Sequence, residues 1–240
     1  MLTPARSLSA RAARPNVMVK IPGTPAGLEA IEQALFEGIP INVTLLFSRE
    51  QYLATAEAFL RAIERRIEAR LDPDVASVAS VFVSRWDRAV ATSVPKELHL
   101  QLGIAMAQRT YKAYRSVLHS ARWQRIYNAG ARPQRLLWAS TGVKDPSASD
   151  ITYIKALAAQ FTVITMPQPT LEAFADHGEI VSLMRADGGT CEDTLAKFTR
   201  AGVDLYALAS RLQDEGTRSF AASWNHLMTF LASKAAALAA

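Results

Sequence analysis

The sequence predicts an α/β fold built on parallel strands, and two observations support this prediction. Short apolar runs of strand character alternate along the chain with longer segments of helical periodicity, which is the pattern of βα units. Polar side chains collect where the predicted strands end rather than along their length. Parallel α/β folds place their chemistry at this carboxyl edge, in an open sheet or in a barrel.

Composition restricts the classes of protein that fit. Of the 240 residues, 50% are hydrophobic and the formal net charge is +5, as in a globular protein of one or two domains. No apolar run approaches the roughly 18 residues that span a membrane. Basic residues lie among acids rather than in an aromatic-rich stripe, so neither a membrane nor a nucleic acid is an expected partner.

Cysteine and histidine content narrows the chemistry further. Cys191 is the only cysteine, so an internal disulfide is excluded and a reducing, cytoplasmic location is expected. The histidines are widely separated and lack the spacing of metal ligands, so no metal site is expected: His99, His119, His177 and His226.

The segment 1–15 is predicted to be an N-terminal remnant or a lead-in to the main unit, which we assign to residues 16–240. The segment contains three arginines, several serines and alanines, and no acid. This composition resembles an organelle transit peptide. It equally fits the end of a solvent-facing helix that leads into the first strand.

The first strand is predicted within 16–24, where apolar and β-branched residues flank Lys20 and a Pro-Gly-Thr-Pro turn follows. Alternation places Asn16, Met18 and Lys20 on one face. An ammonium at the end of such a strand has two interpretations. It reaches solvent, as most lysines do, or it is desolvated until its pKa falls and the neutral amine becomes a nucleophile.

The remaining elements follow from periodicity and turn residues. Further strands are predicted at 41–47, 79–85, 136–140 and 161–166. Helices are predicted at 25–36, 49–70, much of 95–129, 151–160, 170–175, 190–201, and from about Asp204 with a break near Gly216. On the second strand, Ile41, Val43, Leu45 and Phe47 are predicted to share one face. On the last helix, Phe220 and Trp224 are predicted to be core residues.

The strand ends carry the candidate functional residues, which are Lys20, Thr44, Ser84, Arg85, Ser140, Thr141 and Thr165. No glycine motif in the sequence indicates a nucleotide-binding or hydrolase site. The chain has no G-x-G-x-x-G after a strand and no G-x-x-x-x-G-K-[ST], so dinucleotide and P-loop sites are not predicted. It also lacks the G-x-S-x-G elbow of α/β-hydrolases.

Two runs, VMVKIPGT at 17–24 and INVTLLFS at 41–48, together resemble the transaldolase family. The combination of a strand lysine, a helix and N-x-T-L-L-F-S is specific. The resemblance continues through 138–146, 165–167, 202–204 and 220–225, so it covers essentially everything after residue 15. It is strongest to the longer, bacterial branch, which is sometimes fused to phosphoglucose isomerase.

The resemblance implies a (β/α)₈ TIM barrel and a ketol transferase of the pentose phosphate pathway. Such an enzyme moves a dihydroxyacetone unit through a lysine Schiff base. It converts sedoheptulose 7-phosphate and glyceraldehyde 3-phosphate into erythrose 4-phosphate and fructose 6-phosphate. The implied partners are sugar phosphates, with no cofactor or metal, and the chemistry of an iminium electron sink requires none. Assembly into a homo-oligomer is left open.

The resemblance also implies roles for individual residues. Lys20 matches the Schiff-base lysine, and Thr44 matches the threonine that helps position the catalytic water. The matched contacts to the sugar are Asn42 and Ser80, and those to the phosphate are Arg85 and Ser140. Where the better-known branch has an arginine two residues after the serine, this chain has Gly142. Lys144 is the nearest cation and the substitute phosphate contact.

The strand count departs from the family. We count five of the eight barrel strands, with Lys20 on what would be the fourth. Three N-terminal βα units are therefore expected to be absent, together with the family's first-strand aspartate and third-strand glutamate. On that basis residues 1–240 alone are expected to be nearly inactive. The alternatives are a truncated, non-catalytic remnant that binds a sugar phosphate or another subunit, and a fructose-6-phosphate aldolase.

Overall fold

The computed structural model describes residues 1–239, in which five strands form one parallel sheet. They are β1 (Val19–Pro22), β2 (Ile41–Leu46), β3 (Ser77–Phe82), β4 (Arg135–Ala139) and β5 (Thr162–Ile164). Their spatial order is their order along the chain, and every neighbouring pair is parallel. Within the described residues the sheet is open, with β1 and β5 as its edges. The α/β class and the five parallel strands are confirmed.

Helices precede, connect and follow the strands. They are α1 (Leu2–Ala12), α2 (Pro25–Phe36), α3 (Arg49–Glu68), α4 (Ser84–Val90), α5 (Leu102–Leu118), α6 (Ala121–Asn128), α7 (Thr152–Leu157), α8 (Gln168–His177), α9 (Cys191–Arg200) and α10 (Leu205–Ala239). Each strand-to-strand connection contains at least one helix, as parallel pairing requires. Among the described helices, none has the length and apolarity needed to cross a membrane.

One face of the sheet packs against helices α2, α3, α5 and α6. Its strand residues include Ile41, Val43, Ala79, Val81 and Trp138, all at most 1% exposed. Burial of a large apolar side chain contributes about 1.5–3 kcal/mol. This layer therefore holds the strands in place and leaves the other face for the site.

The opposite face of the sheet belongs to a second cluster. On β3, Val78 and Phe82 alternate with Ala79 and Val81, so they point away from the first layer. They cluster with residues of α4, α5, α9 and α10, among them Trp86, Met106, Phe198 and Leu212. Helices α4 and α10 are thereby fixed near the carboxyl edge of the sheet.

The junction between β2 and α3 has a local cause in the sequence. Ser48 precedes the helix, and its Oγ accepts a hydrogen bond from the Gln51 backbone N–H at 3.2 Å. The Gln51 side-chain oxygen in turn accepts from the Ser48 N–H at 3.3 Å. This reciprocal capping box satisfies donors that a helix start leaves free. Helix α3 therefore begins at Arg49, shortly after β2 ends at Leu46.

The predicted alternation along β2 is wrong beyond Thr44. Leu45 has a φ of 59°, and the pairing register with β3 shifts between Val43 and Leu46. Such a bulge turns the side chains that follow it. As a result Leu46 joins Val43 in the first cluster, whereas Leu45 and Phe47 lie in the second.

Two strand predictions require correction. The first strand begins at Val19 rather than near residue 16, and Val17 is 41% exposed. The third strand ends at Phe82, so Ser84 and Arg85 lie on the first turn of α4 instead of on the strand. These two residues therefore lie just beyond the carboxyl end of β3, where the next helix begins.

The final helix also differs from its prediction. Helix α10 continues through Gly216 without a break over 35 residues. Every side chain described from Thr217 to Leu238 is exposed. Phe220 and Trp224 are 39% and 62% exposed, so their assignment to the core is wrong. Their helical spacing is real, but no described element covers that part of the helix.

Within the segment 1–15, residues Leu2–Ala12 form helix α1, as the helical interpretation predicts. Ala5 is buried, and the Arg6 Nε donates a hydrogen bond to Glu37 Oε2 at 2.7 Å. The Arg6 guanidinium also lowers the pKa of Glu37 to about 2. Helix α1 is thus attached to the layer that contains α2.

Candidate functional site

Three polar side chains form a row across β1, β2 and β3. Lys20 and Asn42 are direct partners in the β1–β2 register, so their side chains share a face. The Ser80 hydroxyl donates a hydrogen bond to Asn42 Oδ1 at 2.7 Å. Because that bond uses the amide oxygen, the Asn42 NH₂ group stays available as a donor. The structure thus brings together three of the residues singled out in the sequence.

Lys20 has one feature of each of its two interpretations, because it is exposed to solvent and also partly desolvated. Its side chain is exposed at the open edge of the sheet. Surrounding atoms nevertheless remove part of the water around the ammonium, and this desolvation lowers the pKa of Lys20 from its ordinary value. Among the described residues no carboxylate forms a salt bridge with Lys20. Both conditions favour a neutral amine.

Thr44 lies two positions beyond Asn42 on β2. The residue is 1% exposed, and its Oγ1 has no hydrogen-bond partner among the described residues. Its carbonyl accepts a hydrogen bond from the Gly23 N–H at 2.8 Å, which fixes the backbone. An unpaired buried hydroxyl costs about 1–3 kcal/mol, so this group is a candidate contact for a ligand or a water molecule.

Arg85 lies at the start of α4 and is held between two elements. Its guanidinium carbon is 5.0 Å from the centre of the Phe82 ring. On the other side is α10, where a Cβ atom at Gly216 would lie 3.2 Å from Arg85 Nη1. Burial lowers the pKa of Arg85 from its ordinary value, but arginine stays charged in proteins. The site therefore contains a fixed cation near the edge of the sheet.

Ser140 follows β4 and is tied to the same helix start. Its φ of 56° places it in the left-handed region, where a non-glycine residue is uncommon. The Ser84 N–H donates to the Ser140 carbonyl at 2.9 Å, and the two hydroxyl oxygens are 2.9 Å apart. These contacts place Ser140 beside the turn that carries Arg85.

Lys144 lies in the loop after β4, at the mouth of a cavity of about 340 Å³. A Cβ atom at Gly142 would be 3.7 Å from Lys144 Nζ. The ammonium therefore occupies the space into which a side chain at 142 would extend. Ser84 also lines the cavity, so Lys144 and the Ser84–Ser140 pair belong to one region.

Asp87 lies at the bottom of this cavity and was not anticipated from the sequence. Its carboxylate accepts hydrogen bonds from the Leu102 N–H at 2.9 Å and the Tyr153 hydroxyl at 2.8 Å. Burial raises its pKa to about 6. Because both oxygens are engaged at the start of α5, Asp87 joins α4, α5 and α7. A single acid flanked by Trp86 and Arg88 gave no signal of this role in the sequence.

The stability of the protein is expected to depend on pH through Asp87. The folded-state pKa of about 6 lies above the ordinary value near 4. The folded state therefore holds the proton more tightly, and this contribution is lost as the pH rises through about 6. The difference is about 3 kcal/mol at most.

Urea denaturation from about pH 4 to pH 7 measures this effect. The free energy of unfolding of Asp87→Asn should fall less over this range than that of the native chain. The exposed Asp193 serves as control, since Asp193→Asn should keep the native profile. Parallel profiles for Asp87→Asn and the native chain would contradict the assignment.

Helix α10 contributes residues that were missed. The Gln213 side chain is buried, and its Nε2 donates to the carbonyls of Gly23 at 3.2 Å and Leu45 at 3.0 Å. Two turns later, Phe220 places its ring centre 5.8 Å from Lys20 Nζ. The i, i+3, i+7 spacing of Gln213, Gly216 and Phe220 defines one helix face. Because Gly216 was interpreted as a helix break, this shared face was not recognised from the sequence.

Comparison with known proteins places the chain among related sequences. The family described as Transaldolase/Fructose-6-phosphate aldolase matches residues 1–231. The chain is 45% identical to the transaldolase of Thermobifida fusca (strain YX), over 97% of this chain and 66% of the relative. It is 42% identical to that of Parafrankia sp. (strain EAN1pec), over 93% of this chain and 63% of the relative.

A third relative gives the same relation of lengths. The transaldolase of Mycolicibacterium smegmatis (strain ATCC 700084 / mc(2)155) is 42% identical over 90% of this chain and 60% of the relative. The chain thus spans 60–66% of the length of these three curated relatives. The range matched by the family, residues 1–231, contains every residue of the site described above.

Proposed function

Because the chain belongs to the transaldolase/fructose-6-phosphate aldolase family, we propose that it transfers a dihydroxyacetone unit between sugar phosphates through a Schiff base on Lys20. The observation that carries the proposal is the row formed by Lys20, Asn42 and Ser80. A desolvated amine lies beside an oriented amide donor on one face of a parallel sheet. That is the arrangement that attack on a sugar carbonyl needs.

The chemistry follows from the groups in the row. The neutral Lys20 amine adds to the ketose carbonyl carbon. With uptake of one proton the carbonyl oxygen leaves as water, and the nitrogen becomes an iminium cation. The hydroxyl next to the breaking C–C bond gives its proton to solvent water, the electron pair of that bond moves to the iminium to form a neutral enamine, and the aldehyde product leaves. Asn42 orients the sugar hydroxyls. Thr44 holds the water molecule that is used when the same steps run in reverse on the acceptor sugar.

Phosphate binding is assigned to the neighbouring cations. Arg85 is held by Phe82 and α10 and therefore offers its donors in a fixed direction, which suits a phosphate. Ser140 adds a hydroxyl from the adjacent turn, and Lys144 supplies a second positive charge. The three side chains of the row, Thr44 and these three phosphate contacts make up the proposed substrate site.

The fold and setting of the protein follow the same proposal. The five strands have the order and direction of consecutive strands in a (β/α)₈ barrel, with residues 16–240 as the barrel portion. The reaction belongs to the pentose phosphate pathway, in the cytoplasm. The relatives that carry the name transaldolase favour transfer to a second sugar over release of free dihydroxyacetone.

A transfer assay tests the proposal against the expectation, drawn from the strand count, that residues 1–240 alone are nearly inactive. The chain is incubated with fructose 6-phosphate in the presence and absence of erythrose 4-phosphate. Formation of sedoheptulose 7-phosphate only when erythrose 4-phosphate is present supports the transferase. Release of free dihydroxyacetone at the same rate under both conditions identifies an aldolase instead. Binding of fructose 6-phosphate without either product would identify the non-catalytic alternative.

Lys144 is expected to replace the family's arginine in phosphate binding. Lys144→Gln should raise the KM for fructose 6-phosphate by about 3- to 10-fold, because the lost charge is partly screened by solvent. Kinetics with fructose as donor should change little. Adding Gly142→Arg to Lys144→Gln should restore the lower KM, since position 142 faces the same space. Failure of both changes to affect the KM would remove Lys144 from the site.

A further inference from the structure

Helix α10 covers the carboxyl edge of the sheet, and three of its residues fix its position. Gln213 donates hydrogen bonds to backbone carbonyls that follow β1 and lie in β2. Gly216 allows close approach, because a Cβ atom there would lie 2.7 Å from Leu45 Cδ2. The backbone of α10 therefore passes directly over the site, and its next turn is placed by these contacts.

That next turn brings Phe220 to Lys20. The Nζ atom of Lys20 is 5.8 Å from the centre of the Phe220 ring, within the range of a cation–π contact. No salt bridge to Lys20 occurs within residues 1–239. The negative face of an aromatic ring is thus the group that meets the charge on this nitrogen.

We propose that Phe220 is a positioning residue that stabilises the cationic forms of Lys20, above all the iminium of the covalent intermediate. The inference rests on the proposed function, since the iminium is the intermediate assigned there. A ring attracts a cation without adding a negative charge or a proton acceptor. A carboxylate in the same place would instead hold the free amine protonated and delay its attack.

The ring also has a second physical effect, which acts in the opposite direction. As an apolar group it removes water from the ammonium, and desolvation favours the neutral amine. The two effects are separable by substitution. Leucine keeps an apolar group above Lys20 but lacks the aromatic face, whereas tyrosine keeps both the face and the cover.

The first test measures Lys20 without any substrate. Competitive acetylation at a series of pH values, read by mass spectrometry, gives the titration midpoint of the amine. In Phe220→Leu the midpoint should move to lower pH by about half a pH unit, because the ammonium loses its aromatic partner. Phe220→Tyr should retain the native midpoint, and Trp224→Leu, on the exposed helix beyond, should do the same.

The second test measures the intermediate itself. Borohydride is added with subsaturating fructose 6-phosphate, and the fraction of Lys20 that carries the reduced adduct is measured. Phe220→Leu should reduce this fraction by about 2- to 5-fold, while the tyrosine and Trp224→Leu variants should match the native chain. Absence of the adduct in the native chain would contradict the proposed function. The acetylation result would still decide whether the ring stabilises the ammonium.

Two outcomes would overturn the inference. A midpoint that stays in place or moves to higher pH in Phe220→Leu would mean that the ring acts only as a cover. Equal behaviour of the leucine and tyrosine variants, both unlike the native chain, would show that the aromatic face is not what matters. If either outcome is found while the native chain still forms the reduced adduct with fructose 6-phosphate, the proposed function stands.

Discussion

Lys20→Arg is expected to abolish covalent trapping of fructose 6-phosphate. After borohydride reduction, the native chain should show the mass of a dihydroxyacetone-derived adduct on the peptide that contains Lys20. The guanidinium of arginine keeps the positive charge at the sheet edge but stays protonated and is not a nucleophile. The adduct and the transfer activity should therefore both fall below detection. This is the largest effect expected of any single substitution here.

The control for this experiment is another lysine. Lys155 lies on α7 with an exposed side chain, so Lys155→Arg should trap the sugar like the native chain. The assignment of Lys20 would be wrong if Lys20→Arg still acquired the adduct, or if the label appeared on a different lysine of the native chain.

Arg85→Ala is expected to reduce kcat/KM for fructose 6-phosphate by roughly 10- to 150-fold. This range corresponds to the loss of a charge-assisted contact of about 1.5–3 kcal/mol. The loss for unphosphorylated fructose should be much smaller, because that donor has no phosphate for the guanidinium to bind. Steady-state kinetics with the two donors, measured side by side, gives the comparison.

The matched control removes an arginine far from the site. Arg125 is exposed on α6, and Arg125→Ala should leave both donors unaffected. Equal losses with fructose and fructose 6-phosphate in Arg85→Ala would contradict a role in phosphate binding. The thermal midpoint of the variant separates such a result from simple unfolding, since the stacking of Arg85 on Phe82 is also lost.

Most of the fold could be predicted because its elements repeat a local signal. The β2 and α2 ranges follow from periodicity and flanking turn residues, and they agree with the structure to within a residue. The errors arise at positions whose conformation depends on tertiary contacts rather than on the local sequence. Leu45 adopts a left-handed conformation that its own side chain disfavours, so no pattern in the sequence shows that the strand changes face there.

The site was predictable to a lesser extent. The strand context singles out Lys20, whereas only the family resemblance singles out Asn42 and Ser80. The parallel pairing of β1, β2 and β3 then brings the three residues together. The roles of Gln213 and Phe220 depend instead on where a distant helix crosses the sheet. A buried glutamine that binds two carbonyls and a ring above an amine both require α10 to be in place. Neither contact corresponds to a periodic pattern in the sequence from which it could be predicted.

The uneven anchoring of α10 has a consequence for local unfolding. Up to Gly216 the helix is held by buried contacts, whereas from Thr217 onward its described side chains are exposed. Isolated helices gain little stability from propensity alone, so the free energy of opening falls steeply beyond this boundary. Phe220 lies within one turn of it. The cover over Lys20 can therefore open by fraying of one helix segment, while the sheet and both clusters stay folded.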